Sequence, residues 1–66
     1  MGVKSSMRLG IESHRAQIGR CKGQLMSYLE AENVAGMLSE VRGIAEHLAC
    51  IRELEFQLDY IRDDEE

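Results

Sequence analysis

Proline and tryptophan are absent from this 66-residue chain, phenylalanine occurs once and tyrosine twice. The missing proline leaves nothing to break a long helix from within. Cysteine is scarce as well, and Cys21 and Cys50 form neither a CxxC motif nor a cluster with histidine. Two thiols are too few for a disulfide scaffold and wrongly spaced for structural zinc, so a reducing cytoplasm is expected, the host's if the chain is viral. No apolar run is long enough for a signal peptide or a membrane span, so no membrane is expected. The opening MGVKSS does fit the short N-myristoylation pattern, glycine second and serine sixth. Chemical groups are equally sparse. Nothing pairs a nucleophile with a base, and no glycine loop is built for phosphate. No carboxylate–histidine pair recurs to build a di-metal site. No catalytic residue, metal site, cofactor or small-molecule substrate is therefore expected. A chain this short and plain also fits a phage or plasmid accessory protein.

What is present is helical periodicity. From Val34 to Ile61, apolar residues recur at Val34, Met37, Val41, Ile44, Leu48 and Ile51, in steps of three and four. Fully helical, that stretch is about 42 Å long at ~1.5 Å per residue. Upstream, Met7, Ile11, His14, Ile18, Cys21, Leu25 and Tyr28 alternate steps of four and three, a heptad seam. The pattern fails at Glu32 and Asn33, where asparagine suits either a left-handed C-terminal cap or the N-cap of a second helix. The expected fold is all-α: an antiparallel two-helix hairpin in one domain spanning 1–66. Helix 1 runs over about 5–31 from a serine cap at Ser5 or Ser6. Helix 2 covers about 34–62, and an acidic tail occupies 63–66. No strand signal competes.

Folding about Asn33 is expected to pair Tyr28 with Leu38, Leu25 with Val41, Cys21 with Ala45 and Ile18 with Leu48. His14 then falls near Ile51 and Arg52, and Ile11 near Leu54 and Glu55. In this register Cys21 and Cys50 are out of disulfide reach.

A 66-residue chain buries only ~60% of its unfolded surface and often needs a partner. Helix 2 also carries more apolar surface than one neighbour can cover. The economical solution is a homodimer forming a four-helix bundle. The plasmid copy-number regulator Rop resembles this expected architecture, with no shared residue motif. The small residues suggest where the second copy sits. Gly36, Gly43 and Cys50 recur every seven positions and are expected on the back of helix 2, where a second helix approaches closely. With Leu38, Ala45, Ala49, Leu54, Phe56 and Ile61 they make the expected oligomer interface.

Two further groups are candidates. His14, in the seam, is expected to form a polar layer with Arg52 and Glu55 that sets register without doing chemistry. Lys4, Arg8, Arg15 and Lys22 share one narrow face of helix 1 with Gly19, a candidate surface for a protein partner or for RNA phosphates. No aromatic residue lies on that face and the chain as a whole is acidic, with net charge −4. Leu58 and Asp59 resemble the end of the Ser-x-Glu-Leu-Asp motif of the small helical aspartyl phosphatases of sporulation control. Gln57 replaces the glutamate, and the segment is far from the turn. The expected function is therefore a non-enzymatic adaptor or regulator that dimerises and binds another macromolecule. A protein partner is expected first, an RNA-binding bundle is the alternative, and a phosphatase-like enzyme a distant third.

Overall fold

The structure, a computed structural model, describes residues 2–61; Met1 and the expected acidic tail lie outside the described residues. Two helices, α1 (Val3–Glu30) and α2 (Val34–Tyr60), pack against each other as a hairpin. The hairpin is slender, with Cα extents of 51 × 17 × 9 Å. α1 starts earlier than the serine caps predict. Gly2 is its N-cap, no side chain caps it, and Ser5 and Ser6 lie within the first turns. The added turn brings Lys4 to the end of the seam, where only 9% of the residue is exposed. Lys4 therefore leaves the outer basic face on which its spacing had placed it.

The turn is built from backbone hydrogen bonds. The Glu32 N–H donates to the Leu29 carbonyl at 3.1 Å and the Asn33 N–H to the Tyr28 carbonyl at 2.9 Å. These two bonds make a Schellman closure, which satisfies carbonyls that the helix end leaves open. The left-handed residue is Glu32, at φ 55°. Asn33 takes the other role open to it: its Oδ1 accepts the Gly36 N–H at 3.0 Å and caps α2. The connection is short because one residue both closes α1 and opens α2.

The seam of α1 is the expected one. That of α2 is rotated from the expectation. The residues of α2 that lose most exposure fall at Met37, Glu40, Ile44, His47, Ile51, Leu54 and Leu58, with Ile61 beyond. Val34, Leu38, Val41 and Leu48 are 46–65% exposed. The expected layers of Leu38, Val41, Ala45 and Leu48 against α1 are therefore not formed. The reason lies at the open end. The row Val34, Leu38, Val41, Ala45, Leu48 continues into Arg52, Glu55 and Asp59. Those charges would have to cover Ile11 and Met7. The observed row supplies Leu54 and Leu58 there, at the cost of placing Glu40 and His47 between the helices. The contacts of the small residues fix this register. The Tyr28 ring lies over Gly36, Cys21 Sγ faces Gly43, and Leu54 Cδ1 faces Gly10. Gly36 and Gly43 thus face α1 within the hairpin, a correction to their expected place on the back of α2.

These positions respond differently to added atoms. A Cβ on Gly36 falls 2.5 Å from the Tyr28 ring, whereas one on Gly23 meets nothing within 4 Å. Gly36→Ala should lower stability in urea denaturation at fixed protein concentration. Gly23→Ala should raise it by up to about 1 kcal/mol through helix propensity. Glu32→Gly should also stabilise, by about 1 kcal/mol, because the left-handed backbone then carries no Cβ penalty.

Candidate functional site

A hairpin of two amphipathic helices has two broad sides, and this one treats them differently. On one side the seam is bordered by Gly10, Gln17 and Gln24 from α1 and by Gly36, Gly43, Cys50 and Gln57 from α2. These residues are small or uncharged, and a Cβ at Gly10, Gly36 or Gly43 would meet a side chain of the opposite helix. A shallow depression of about 230 Å³ opens here, lined by His14, Cys50, Glu53, Leu54 and Gln57. Both cysteines are free thiols, Cys21 half-buried and Cys50 exposed.

The other side carries a groove of about 470 Å³ between the helices. Its floor is apolar, from Ile18, Ile44 and Ile51. One wall is Arg15, Gly19 and Lys22 of α1; the other is Leu48, Arg52 and Glu55 of α2. Arg15 and Glu55 meet across it at 3.7 Å, both more than half exposed, so the pair adds little to stability. Along the rest of this side the character changes with height. Towards the turn it presents Met26, Leu29, Val34, Leu38, Val41 and Leu48, each 46–65% exposed. Towards the open end the same rows hold Arg8, Glu12 and Arg15 on α1 and Arg52, Glu55 and Asp59 on α2. Six of the ten exposed large apolar residues described thus lie on this side, and Ile51 is the one buried apolar residue among those described.

The expected site residues distribute accordingly. Arg8, Arg15, Gly19 and Lys22 do share one side, next to the apolar half-face, while Lys4 is in the seam. Leu38 and Ala45 lie on the grooved side, and Ala49 and Phe56 are exposed on the outer surface of α2. Phe56 packs against Tyr60 with ring centroids 4.9 Å apart and the rings tilted by 53°, a contact within one helix. Gly36, Gly43 and Cys50 border the seam on the opposite side, and Leu54 and Ile61 belong to the seam itself. The residues expected to form one interface thus occupy several faces.

The polar layer around His14 also has other members. Its partner is His47: the two Nδ1 atoms are 2.8 Å apart and the ring centroids 5.1 Å. Glu55 is engaged by Arg15 instead, and Arg52 is exposed. One Nδ1 must donate while the other accepts, so the two rings take opposite tautomers, or one is protonated. The rotation of α2 that brings Leu54 and Leu58 inward also brings His47 inward. A histidine at a strict three-four interval between Ile44 and Ile51 was the available signal. No group of three or more histidine, cysteine or carboxylate side chains converges among the described residues. No described helix is long and apolar enough to cross a membrane.

The histidine pair is testable as a register element. His14→Ala alone should destabilise by about 1 kcal/mol, because it leaves the half-buried His47 Nδ1 unpaired. Replacing both histidines by leucine should restore or exceed the original stability. A double-mutant cycle by urea denaturation measures the coupling, and additive losses would show that the two rings do not interact.

No family model, no curated protein and no solved structure matches this chain.

Proposed function

We propose that the protein is a small non-enzymatic helical adaptor or regulator that self-associates into a four-helix bundle and acts by binding another protein. One observation carries this reading. Among the described residues a single apolar one is buried, and six large ones are exposed on one side: Met26, Leu29, Val34, Leu38, Val41 and Leu48. Patches of that kind mark interfaces. Each side chain, already half covered, gains on the order of 1 kcal/mol on full burial. Summed over two copies, the gain is about 12 kcal/mol. Set against the low end of the association cost, about 4 kcal/mol, it leaves the ~8 kcal/mol that a micromolar dimer requires. Such a module inhibits, chaperones or tethers its target by surface contact.

An RNA-binding bundle is the second reading. Arg8, Arg15 and Lys22 recur every seven residues on one row of α1, about 10.5 Å apart at 1.5 Å per residue. Lys22 and Arg15 are exposed. The net charge of −4 weighs against it.

Sedimentation equilibrium should show a reversible monomer–dimer exchange at micromolar concentration, with α-helical circular dichroism retained. A folded 7.5 kDa monomer throughout that range would refute self-association. On immobilised heparin the protein should elute at or below about 0.1 M salt. Retention that falls steeply with salt, and is lost in Arg15→Ala/Lys22→Ala, would favour the RNA reading.

A further inference from the structure

The grooved side is not merely apolar: its two outer rows match each other level by level. The register set by Tyr28 over Gly36, Cys21 at Gly43 and Gly10 at Leu54 puts Met26 level with Leu38. By the same register Gly19 is level with Ala45, and Glu12 with Arg52. At these three levels like pairs with like or charge with countercharge: apolar with apolar, small with small, anion with cation. All of these residues are exposed in the single hairpin. Neither Glu12 nor Arg52 has an ion-pair partner among the described residues.

From this we infer that the grooved side receives a second copy of the same chain, related by a two-fold axis running along the hairpin, with both turns at the same end. This rests on the self-association proposed above and specifies its geometry. Such an axis lays α2 of one copy antiparallel against α1 of the other without changing the height of any residue. Leu38 then meets the partner's Met26, Ala45 meets the partner's Gly19, and Arg52 meets the partner's Glu12, each contact occurring twice. Gly19 and Ala45 let the helices approach where the groove is centred, so that Leu48 of each copy enters apolar surroundings. Lys22 is the one charge in the apolar half of these rows, and it lies at the groove wall, where its stem covers apolar surface and its ammonium stays in water. The alternative two-fold, with one copy turned end over end about the Gly19–Ala45 level, would set Met26 and Leu38 against the partner's Glu12 and Arg52. That arrangement buries charge on hydrocarbon and leaves half the apolar surface wet. The opposite side of the hairpin remains open for the protein partner.

The test combines charge exchange with a distance. Glu12→Arg and Arg52→Glu should each raise the dimer dissociation constant about tenfold or more, since each places two like-charge contacts in the interface. The double variant should return it to within about threefold of the original, because the exchanged pair is again complementary. Circular dichroism checks that every variant remains helical. Spin labels at Ala31→Cys, in a Cys21→Ala/Cys50→Ser background, then report the ends. Labels far closer to each other than the 51 Å length of the hairpin support the same-end dimer. A dimer whose labels are separated by nearly that length would overturn this geometry and leave self-association standing. So would two single variants with unchanged dimerisation. A monomer at all concentrations would overturn both. As an independent check, Gly19→Leu should dissociate the dimer and Gly23→Leu, on the outer surface, should not.

Discussion

Helix α1 offers one seam, and helix α2 has two rows that could fill it. One is richer in large aliphatic residues near the turn and ends in Arg52, Glu55 and Asp59. The other contains Glu40 and His47 but remains apolar to the open end through Ile51, Leu54 and Leu58. The second is the one that packs. A hairpin is covered only along the line where its helices touch, so the seam must be tolerable over its whole length. A charge opposite Ile11 or Met7 has no other element to pair with, whereas His47 finds a partner in His14 across the seam. The choice of row sets everything else about the molecule.

Its first consequence is that the glycines become internal. Tyr28 occupies the space that a side chain at Gly36 would need, and Cys21 and Leu54 close on Gly43 and Gly10. The helix-propensity loss at these positions is offset by contact across the hairpin. Gly19 and Gly23, with nothing within 4 Å, have no such compensation inside one chain. Gly19 lies in the groove wall, where a second copy would supply it.

The second consequence is the face left outside. The row that lost the competition stays exposed, with its apolar half near the turn and its charged half near the open end. α1 shows the same division on the same side, from Met26 and Leu29 to Glu12 and Arg8. The outermost rows of the two helices, Met26 to Glu12 and Leu38 to Arg52, change from apolar to charged at the same height, so that part of the surface is matched to itself. This is the feature that makes a binding protein the best-supported reading, and it emerges only when the two helices are placed side by side.

Much of this was legible in the residues themselves. The strict three-four alternation from Met7 to Tyr28 identifies α1 and its buried line, because a helix puts those positions on one stripe whatever covers them. The break at Glu32 and Asn33, with periodicity resuming at Val34, locates the turn and makes the helices antiparallel, since so short a link permits nothing else. Rotation of α2 about its own axis was not legible. Two rows separated by one helical position differ by about 100°, and each satisfies a periodicity test on its own. What separates them is the identity of the residue opposite at every level, which is a property of the pair of helices. For that reason the sequence determined a helical hairpin with apolar surface to spare. The packing of α2 on α1 alone decided that His47 meets His14, that Gly36 and Gly43 turn inward, and that the spare surface lies on the side of the groove.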